Sequence, residues 1–225
     1  MELRARLASL FDVPVAVATA TASTELDPLL PLEAEVVGPR WAPKRLWEFR
    51  AGRHCAHHAL EQLGIPSGFG IGRDANGCPL WPTGVTGSIT HTGRGSDAAA
   101  ACVVTRALRS IGIDVERAAP LTHELQRHVF TAKELADAER AHPEPDGPGW
   151  HALRVFCAKE AFYKCQYPLT GRFLGFQDVE TRFDFAEGTF EAWCVSDPGL
   201  GVGLLQGRFL QSEEFVLCGV GFGAP

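Results

Sequence analysis

Residues 111–117, which read IGIDVER, constrain the fold of this chain more than any other stretch. Side chains alternate between the two faces of a β-strand, so the isoleucines and the valine would form one apolar face and Gly112, Asp114 and Glu116 the other. Two carboxylates held side by side repel each other, and a divalent cation between them relieves that repulsion. Mg²⁺ is suited to this, because it takes oxygen ligands and shares its shell with phosphates. Taken alone, the pattern is more often a solvated strand face with two surface acids.

Composition narrows the class of protein. The chain has 225 residues and a net charge of −6, which argues against a general nucleic-acid binder, because such proteins are usually basic. No apolar run approaches the roughly 20 residues of a membrane-spanning helix, and the N-terminus lacks the apolar core of a secretory signal. The seven cysteines are scattered without a CxxC pair, which predicts reduced thiols and not disulfides or a zinc site. We therefore expect a cytoplasmic protein that binds neither nucleic acid nor membrane.

The first half of the chain is predicted to contain one long helix among strands and loops. Alternating valines predict a strand over 12–22, and apolar periodicity predicts a helix over about 41–63. Gly, Pro, Asp and Asn predict a loop over 67–82. The apolar run 98–104 is predicted to pair with the 111–117 strand as a hairpin.

Cations are concentrated on the predicted first helix. Arg45 and Arg53 lie two turns apart there, and a solvated basic face is the ordinary explanation, although arginine forks also match phosphate. Further along, a loop built on Gly87-Ser88-Ile89-Thr90-His91 surrounds one histidine with small residues. Such a histidine is more often structural, but beside a phosphate it would act as a donor.

The second half is predicted to contain helices followed by strands. Residues 121–142 are predicted to be helical, with a new segment beginning where Thr131 and Glu134 have capping-box spacing. A flexible connection over 143–149 then leads to a helix over 150–165. Apolar runs divided by Gly, Asp and Pro predict a β-meander whose strands cover 176–185, 189–195, 202–210 and 215–222.

The helix predicted over 150–165 carries a carboxylate in an apolar stripe. Glu160 continues the stripe of Leu153 and Cys157, and Lys164 follows one turn later. A carboxylate in a core-facing position needs a partner or a metal, whereas a surface Glu160–Lys164 ion pair is equally compatible with the spacing.

The order of elements predicts an α+β fold with two similar α/β subdomains in a pseudo-twofold arrangement, each a helix packed on an antiparallel sheet. We expect an N-terminal subdomain over 1–115, a C-terminal subdomain over 116–225, and an active site where the two meet. Because one chain supplies both halves, we expect a monomer.

Four blocks of the sequence occur in a characteristic order. They are Lys44-Arg45 through Glu48-Phe49 to Arg53-His54-Cys55-Ala56, Trp81-Pro82 through Gly87 to His91, Ile111 to Glu116, and Phe156-Cys157-Ala158-Lys159-Glu160-Ala161 with Lys164. In this order they resemble the Sfp-type 4′-phosphopantetheinyl transferases, in the enterobactin synthetase component D-like branch of actinobacteria. The resemblance covers about residues 40–175, and its last two blocks together are specific. It implies the phosphopantetheinyl transferase fold.

The resemblance implies an enzyme of the holo-carrier-protein synthase type. Such an enzyme transfers the 4′-phosphopantetheine moiety of its substrate coenzyme A to a serine of an apo acyl or peptidyl carrier protein, and releases adenosine 3′,5′-bisphosphate. Mg²⁺ would be the cofactor, with Mn²⁺ as an alternative, and the carriers would serve polyketide, nonribosomal-peptide or fatty-acid synthesis. Phosphoryl-group transfer of this kind needs positioning and charge neutralisation, which acids, a metal and cations supply.

The resemblance also implies roles for individual residues. The metal ligands would be Asp114, Glu116, Glu160 and the Val115 carbonyl, and Glu160 would also take the serine proton, directly or through water. Lys164 and Lys159 would neutralise the pyrophosphate, with Thr90 beside it. The coenzyme A phosphates would be bound by Arg45, Arg53 and His91, and the adenine end would be lined by Arg73, Asp74, Ala75 and Asn76. This loop lacks a lysine common in the family, and Thr90 replaces a common serine.

Two other functions use the same residues. One is a Mg²⁺-dependent phosphohydrolase that employs the same three carboxylates. The other is a non-catalytic module that binds coenzyme A or a carrier protein. The set of Arg and His phosphate ligands favours coenzyme A over a simple phosphate ester, and the intact acidic triad argues against a module without catalysis.

Overall fold

The computed structural model describes residues 2–140, 147–197, 199 and 201–224. The chain forms two compact units, one of residues 1–111 with 223–225 and one of residues 112–222. Each unit packs a long helix on an antiparallel sheet, so the predicted α+β fold class is confirmed. Most of the flexible connection predicted over 143–149 lies outside the described residues. No described helix combines the length and the apolar content needed to cross a membrane.

The helices and strands follow one another in this chain order: α1 Leu3–Ala8, β1 Ala16–Thr21, α2 Pro31–Ala34, α3 Pro43–Gln62, β2 Thr86–Thr92, β3 Ala99–Thr105, β4 Ser110–Arg117, α4 His123–Val129, α5 Ala132–Arg140, α6 Pro148–Thr170, β5 Val179–Asp184, β6 Thr189–Cys194, β7 Leu205–Gln211 and β8 Phe215–Phe222.

The first unit contains a three-stranded antiparallel sheet in the order β1-β3-β2. Its central strand β3 is buried along its whole length, and α3 packs on β3 and β1. Small residues four apart on α3, namely Ala51, Cys55 and Ala59, are fully buried and let the helix approach closely. A Cβ at Gly52 would lie 2.9 Å from Ile89 Cγ2, so glycine is needed where α3 meets β2.

Two sequence predictions in this unit are wrong. The hairpin of 98–104 with 111–117 does not form, because β1 and β2 occupy both edges of β3, whereas β4 lies beside β8 in the other sheet. The predicted loop around residues 87–91 is instead the middle of strand β2, in register with β3. Both faces of this strand are covered: residues 87, 88, 90 and 92 are buried, and Ile89 packs against the core beneath α3.

The second unit contains a five-stranded sheet in the order β4-β8-β7-β6-β5. The predicted meander of the last four strands is therefore confirmed, and α6 packs on β8. Helix α6 is longer than predicted, because it includes Pro168 and ends only at Thr170. Gly171, which caps it, has a φ of 65° in the left-handed region. The core between helix and sheet includes Phe162, Phe190 and Val216.

The predicted break between α4 and α5 is confirmed by a reciprocal capping box. The Glu134 N–H donates to Thr131 Oγ1 at 3.2 Å, and the Thr131 N–H donates to Glu134 Oε2 at 2.9 Å. Both backbone donors at the start of α5 are thus satisfied by side chains, which is what the Thr–Glu spacing predicts.

Candidate functional site

The candidate site of the second unit begins at the contact between β4 and α6. A Cβ at Gly112 would collide with the Ala161 carbonyl oxygen and would lie 2.7 Å from the Cys165 N. Only glycine therefore lets the backbone of α6 pack directly on this face of β4. The face that carries the two acids is consequently turned towards α6 and not simply towards solvent.

Asp114 is buried and held by a cation of α6. Its residue is only 3% exposed, and its Oδ1 accepts a hydrogen bond of 2.6 Å from Lys164 Nζ. The Cys157 thiol donates to the Asp114 carbonyl oxygen at 3.3 Å, which ties the strand backbone to the same helix. The alternative of a solvated strand face is therefore wrong for Asp114.

Glu160 and Lys164 are electrostatically linked to this carboxylate. Burial raises the pKa of Glu160, the nearby Asp114 carboxylate raises it further, and Lys164 opposes both effects. Burial disfavours the charged form of Lys164, but Asp114 and Glu160 together raise the pKa of this amine above its ordinary value. Lys164 is thus an ammonium stabilised by two carboxylates.

The donors of this group suit a hard divalent cation. Asp114 and Glu160 interact with the Lys164 ammonium, and Glu116 follows Asp114 by two residues on β4. Oxygen donors in excess of cations are what Mg²⁺ prefers. In the part of the chain that the structure describes, however, the oxygens of these three carboxylates do not all lie within 4.8 Å of one another. The chemistry of the residues fits the metal, and their convergence on one ion stays a prediction.

Lys159 has a structural position that differs from its predicted role. It is 2% exposed, and its Nζ donates to Glu134 Oε2 at 2.6 Å, to the Val129 carbonyl at 2.8 Å and to the Phe176 carbonyl at 2.8 Å. An ammonium has three N–H donors, and all three are used here. This corrects the assignment of Lys159 as a pyrophosphate ligand, because no donor remains for a phosphate.

Glu134 organises the surroundings of Lys159. Its second oxygen, Oε1, accepts from the Thr181 N–H at 2.8 Å and from the Thr181 hydroxyl at 2.9 Å. Sequence reasoning identified Glu134 only as a helix cap. It missed the buried ion pair, which depends on the fold bringing α5, α6 and β5 together.

One predicted phosphate ligand, Arg45, and one residue predicted to line the adenine end, Arg73, meet at one aromatic ring. The guanidinium carbons of Arg45 and Arg73 lie 5.4 Å and 5.9 Å from the ring centroid of Trp41. Sequence reasoning missed Trp41, which lies just before the start of α3, so helical spacing does not link it to Arg45. Two cations beside one aromatic ring form a surface suited to an anion with a planar group.

His91 joins the same group of charges through Glu48. Its Nδ1 lies 3.5 Å from Glu48 Oε1, and Lys44 and Arg45 lie 3.4 Å and 3.8 Å from the oxygens of the same carboxylate. Thr90, the preceding residue on β2, is only 2% exposed, whereas His91 is half-exposed. The structure therefore brings His91 near Arg45 and buries Thr90.

Arg53 is a buried cation and not part of a solvated face. It is 5% exposed, its guanidinium carbon lies 4.8 Å from the centroid of the Phe49 ring, and its Nε is 3.9 Å from Glu33 Oε1. Among the described residues this Nε has no hydrogen-bond partner. The interpretation of the helix as a solvated basic face is wrong for Arg53.

Glu33 is the buried carboxylate on which this region depends. It is fully buried and accepts from His57 Nε2 at 2.8 Å, from the Ile71 N–H at 3.0 Å and from the Leu30 N–H at 3.1 Å. Burial alone would raise the pKa of Glu33, but these hydrogen bonds and the charge of His57 lower it below its ordinary value.

The loop predicted to line an adenine is built on Asp74. Its Oδ1 accepts from the Asn76 N–H at 2.9 Å and from the Cys78 N–H at 2.8 Å, so this carboxylate stabilises the turn. Ala75 and Asn76 are exposed at the tip of the loop, as is the side chain of Arg73.

Comparison with known families accounts for both units. A model described as the 4′-phosphopantetheinyl transferase N-terminal domain matches residues 33–105, and a model of the 4′-phosphopantetheinyl transferase superfamily matches residues 110–201. The chain belongs to the 4′-phosphopantetheinyl transferase superfamily. The first match contains α3, β2 and β3, and the second contains β4 and α6.

Three relatives in this superfamily extend the comparison. The chain is 36% identical over 192 residues to 4′-phosphopantetheinyl transferase Npt of Nocardia iowensis, covering 80% of this chain and 83% of the relative. It is 38% identical over 205 residues to 4′-phosphopantetheinyl transferase Svp of Streptomyces mobaraensis, covering 88% and 80%. With 4′-phosphopantetheinyl transferase PptT of Mycobacterium tuberculosis the identity is 41% over 159 residues, covering 69% and 65%. The predicted family and the prediction of an enzyme are thus confirmed.

Proposed function

We propose that this enzyme transfers the 4′-phosphopantetheine moiety of coenzyme A to a serine of apo acyl or peptidyl carrier proteins and releases adenosine 3′,5′-bisphosphate. The observation that carries the proposal is the buried group on β4 and α6, in which Lys164 donates a hydrogen bond to Asp114. Burial opposes the charge of Lys164, but Asp114 and Glu160 raise its pKa. Acids and an ammonium in one buried group, within a chain of this superfamily, suit the transfer of a phosphate-linked arm.

Three carboxylates and one carbonyl would hold the metal. We assign Mg²⁺, with Mn²⁺ as an alternative, to Asp114, Glu116, Glu160 and the Val115 carbonyl. When bound, the ion neutralises charge on the pyrophosphate and polarises its oxygens. The buried position of Asp114 supports this assignment, because a buried carboxylate needs positive charge nearby. One lysine does not supply enough positive charge for three acids.

Glu160 would accept the proton of the acceptor serine, and Lys164 would stabilise the negative charge on the pyrophosphate. Burial raises the pKa of Glu160, which strengthens its carboxylate as the base that takes the hydroxyl proton of the carrier serine, directly or through water. Lys164 uses one N–H on Asp114, and its two other N–H groups are the donors we assign to oxygens of the pyrophosphate.

The cations of the first unit would bind the rest of coenzyme A. Arg45, Arg53 and His91 are assigned to its phosphates, and Arg73 with Trp41 to the adenine end. Arginine binds phosphate through paired N–H groups, and the buried Arg53 has an Nε that no described residue satisfies. In this proposal Thr90 would lie beside the pyrophosphate. The adenine end would also be lined by Asp74, Ala75 and Asn76.

The test is the mass of an intact carrier protein. The purified chain is incubated with coenzyme A, MgCl₂ and an apo acyl carrier protein or an apo peptidyl carrier domain. We expect the carrier to gain one phosphopantetheine, and a carrier whose acceptor serine is replaced by alanine to gain none. Cleavage of coenzyme A without carrier labelling would indicate a phosphohydrolase, and binding without either reaction would indicate a non-catalytic module. Either result overturns the proposal.

A matched pair of variants tests the role of the carboxylate. Glu160→Gln keeps the volume of the side chain and removes the base, so we expect turnover to fall at least 100-fold, the lower range for loss of a general base. Glu124→Gln on α4 makes the same change at an exposed position and should label the carrier at the parent rate. Equal rates for the parent and the Glu160 variant would refute the assigned role.

A further inference from the structure

The first unit contains a second cluster of possible metal ligands, which no step of the proposed reaction uses. Asp27, in the segment between β1 and α2, meets His54 and His58 of α3, and one ligand atom from each lies within 4.8 Å of the others. It is the one group of three His, Cys, Asp or Glu side chains that meets this criterion among the described residues. We propose that Asp27, His54 and His58 form a binding site for a Zn²⁺-like transition-metal ion.

The distances in this cluster are close to those between ligands of a bound metal. Asp27 Oδ2 lies 2.9 Å from His54 Nδ1 and 3.0 Å from His58 Nε2. In a tetrahedral zinc site with bonds of about 2.0–2.2 Å, neighbouring ligand atoms are about 3.3 Å apart. Asp27 Oδ2 therefore needs to move only a few tenths of an ångström from each histidine nitrogen, and the two nitrogens lie within 4.8 Å of each other. Their spacing on the helix also suits the role, since histidines four apart lie on one face.

The contacts around the cluster leave one lone pair on His54 and link His58 to two carboxylates. The Asp27 backbone N–H donates to His54 Nδ1 at 3.3 Å, so this nitrogen acts as an acceptor. His58 Nε2 is hydrogen-bonded to Asp27 Oδ2 at 3.0 Å, and its Nδ1 lies 3.3 Å from Glu61 Oε2. An ion bound at Nε2 would take the place of a proton on that nitrogen. Glu61 would then hold the remaining proton on Nδ1 from outside the site, as carboxylates commonly do for metal-bound histidines.

The ligand set selects a class of metal. Two imidazoles with one carboxylate suit Zn²⁺, Co²⁺, Ni²⁺ or Cu²⁺, whereas Mg²⁺ prefers oxygen ligands alone. His54 and His58 line an open cavity of about 620 Å³, which gives an ion a path from solvent and leaves space for a water as fourth ligand. The site would join the segment around Asp27 to α3, so an ion bound there would stabilise the folded first unit.

The test uses Zn²⁺ with the full chain, in excess Mg²⁺ to saturate carboxylate sites and with thiols kept reduced. Imidazole ¹H–¹⁵N correlation spectra identify the ring nitrogens that bind. On addition of one equivalent of Zn²⁺ we expect the signals of His54 Nδ1 and His58 Nε2 to shift, and the thermal unfolding temperature to rise. Shifts confined to other histidines would overturn the proposal.

Variants separate this site from other zinc ligands. His58→Ala and Asp27→Asn should each weaken Zn²⁺ binding at least tenfold, whereas His128→Ala, an exposed histidine of α4, should bind like the parent. Unfolding temperatures measured without metal show that each variant is folded, and Asp27→Asn keeps the volume of its side chain if His58→Ala proves unstable. All seven cysteines are free, so Co²⁺ spectra provide the remaining check. A thiolate-to-cobalt charge-transfer band, or unchanged affinity in both variants, would overturn the proposal.

Discussion

The two long helices each bury a cation, and they satisfy it in opposite ways. On α6, Lys159 is 2% exposed and has three acceptors between 2.6 and 2.8 Å from its Nζ. On α3, Arg53 is 5% exposed, yet its Nε is 3.9 Å from the Glu33 carboxylate and makes no hydrogen bond to a described residue. Burial alone therefore does not separate a structural charge from a functional one.

The difference lies in how many donors are already used. A buried charge whose donors are all paired holds elements together, because any new partner would have to break an existing bond. A buried charge with an unused donor is stabilised when an anion arrives. By this criterion Lys159 belongs to the architecture of the second unit, whereas Arg53 and the partly paired Lys164 are the cations to associate with phosphate.

Replacing Lys159 tests the structural side of the comparison and should have the largest effect on stability. Lys159→Met leaves Glu134 buried without its cation, and breaking a buried ion pair in this way costs about 3 kcal/mol. Burial lowers the pKa of Lys159, and Glu134, with a smaller effect from Glu180, opposes this shift. The measurement is the free energy of unfolding by urea.

Two further measurements decide whether the effect is purely structural. Lys133→Met removes the exposed cation that pairs with Glu180 and should leave the stability close to that of the parent, because water screens such a pair. Activity per folded molecule of Lys159→Met should stay near that of the parent. A folded Lys159 variant with a raised coenzyme A requirement would contradict the comparison and restore this lysine as a phosphate ligand.

The fold was predictable wherever local pattern decides the structure. Strand β8 was predicted at its observed bounds, and Thr131 and Glu134 gave the break between α4 and α5, because alternation and capping depend on neighbours in sequence. The hairpin of β3 with β4 failed because strand pairing is non-local. Nothing between 98 and 117 indicates that β1, from the start of the chain, takes one edge of β3.

The candidate site was predictable as residue types but not as environments. The acids of 111–117 and the lysines of α6 could be identified from their order, yet the sequence gives Lys159 and Lys164 similar roles. Only the fold brings Glu134 to Lys159 and Asp114 to Lys164. Likewise the burial of Arg53 depends on Glu33, a residue of the separate short helix α2.

Replacing Glu33 tests the surroundings of Arg53 on α3, the second of the two buried cations compared above. The pKa of Glu33 lies below its ordinary value of 4.5, so its contribution to stability is complete above about pH 4.5 and is lost as the pH falls through the folded-state pKa. Glu33→Gln should destabilise the chain by about 2 kcal/mol at pH 7, the scale of hydrogen bonds to a charged group. The measurement is unfolding by urea as a function of pH.

The pH dependence distinguishes this carboxylate from an ordinary acid. The stability difference between the parent and Glu33→Gln should shrink as the pH is lowered below about 4.5, because the parent carboxylate is then protonated as well. Glu35→Gln changes an exposed neighbour on the same segment and should leave the profile unchanged. A difference that stays constant down to the acid transition would show that Glu33 contributes through shape and not through charge.

Replacing Arg53 by lysine should have the smallest effect and tests the unused donor directly. Arg53→Lys keeps the positive charge near Glu33 but removes the planar set of donors that matches a phosphate. We expect the KM for coenzyme A to rise about tenfold, which corresponds to about 1.4 kcal/mol, with turnover nearly unchanged, because this interaction binds substrate and transition state alike. Arg50→Lys, on the same helix but outside the proposed phosphate ligands, should behave like the parent. If turnover falls while KM stays constant, Arg53 acts on the chemical step or on the fold, and the contrast with Lys159 no longer holds.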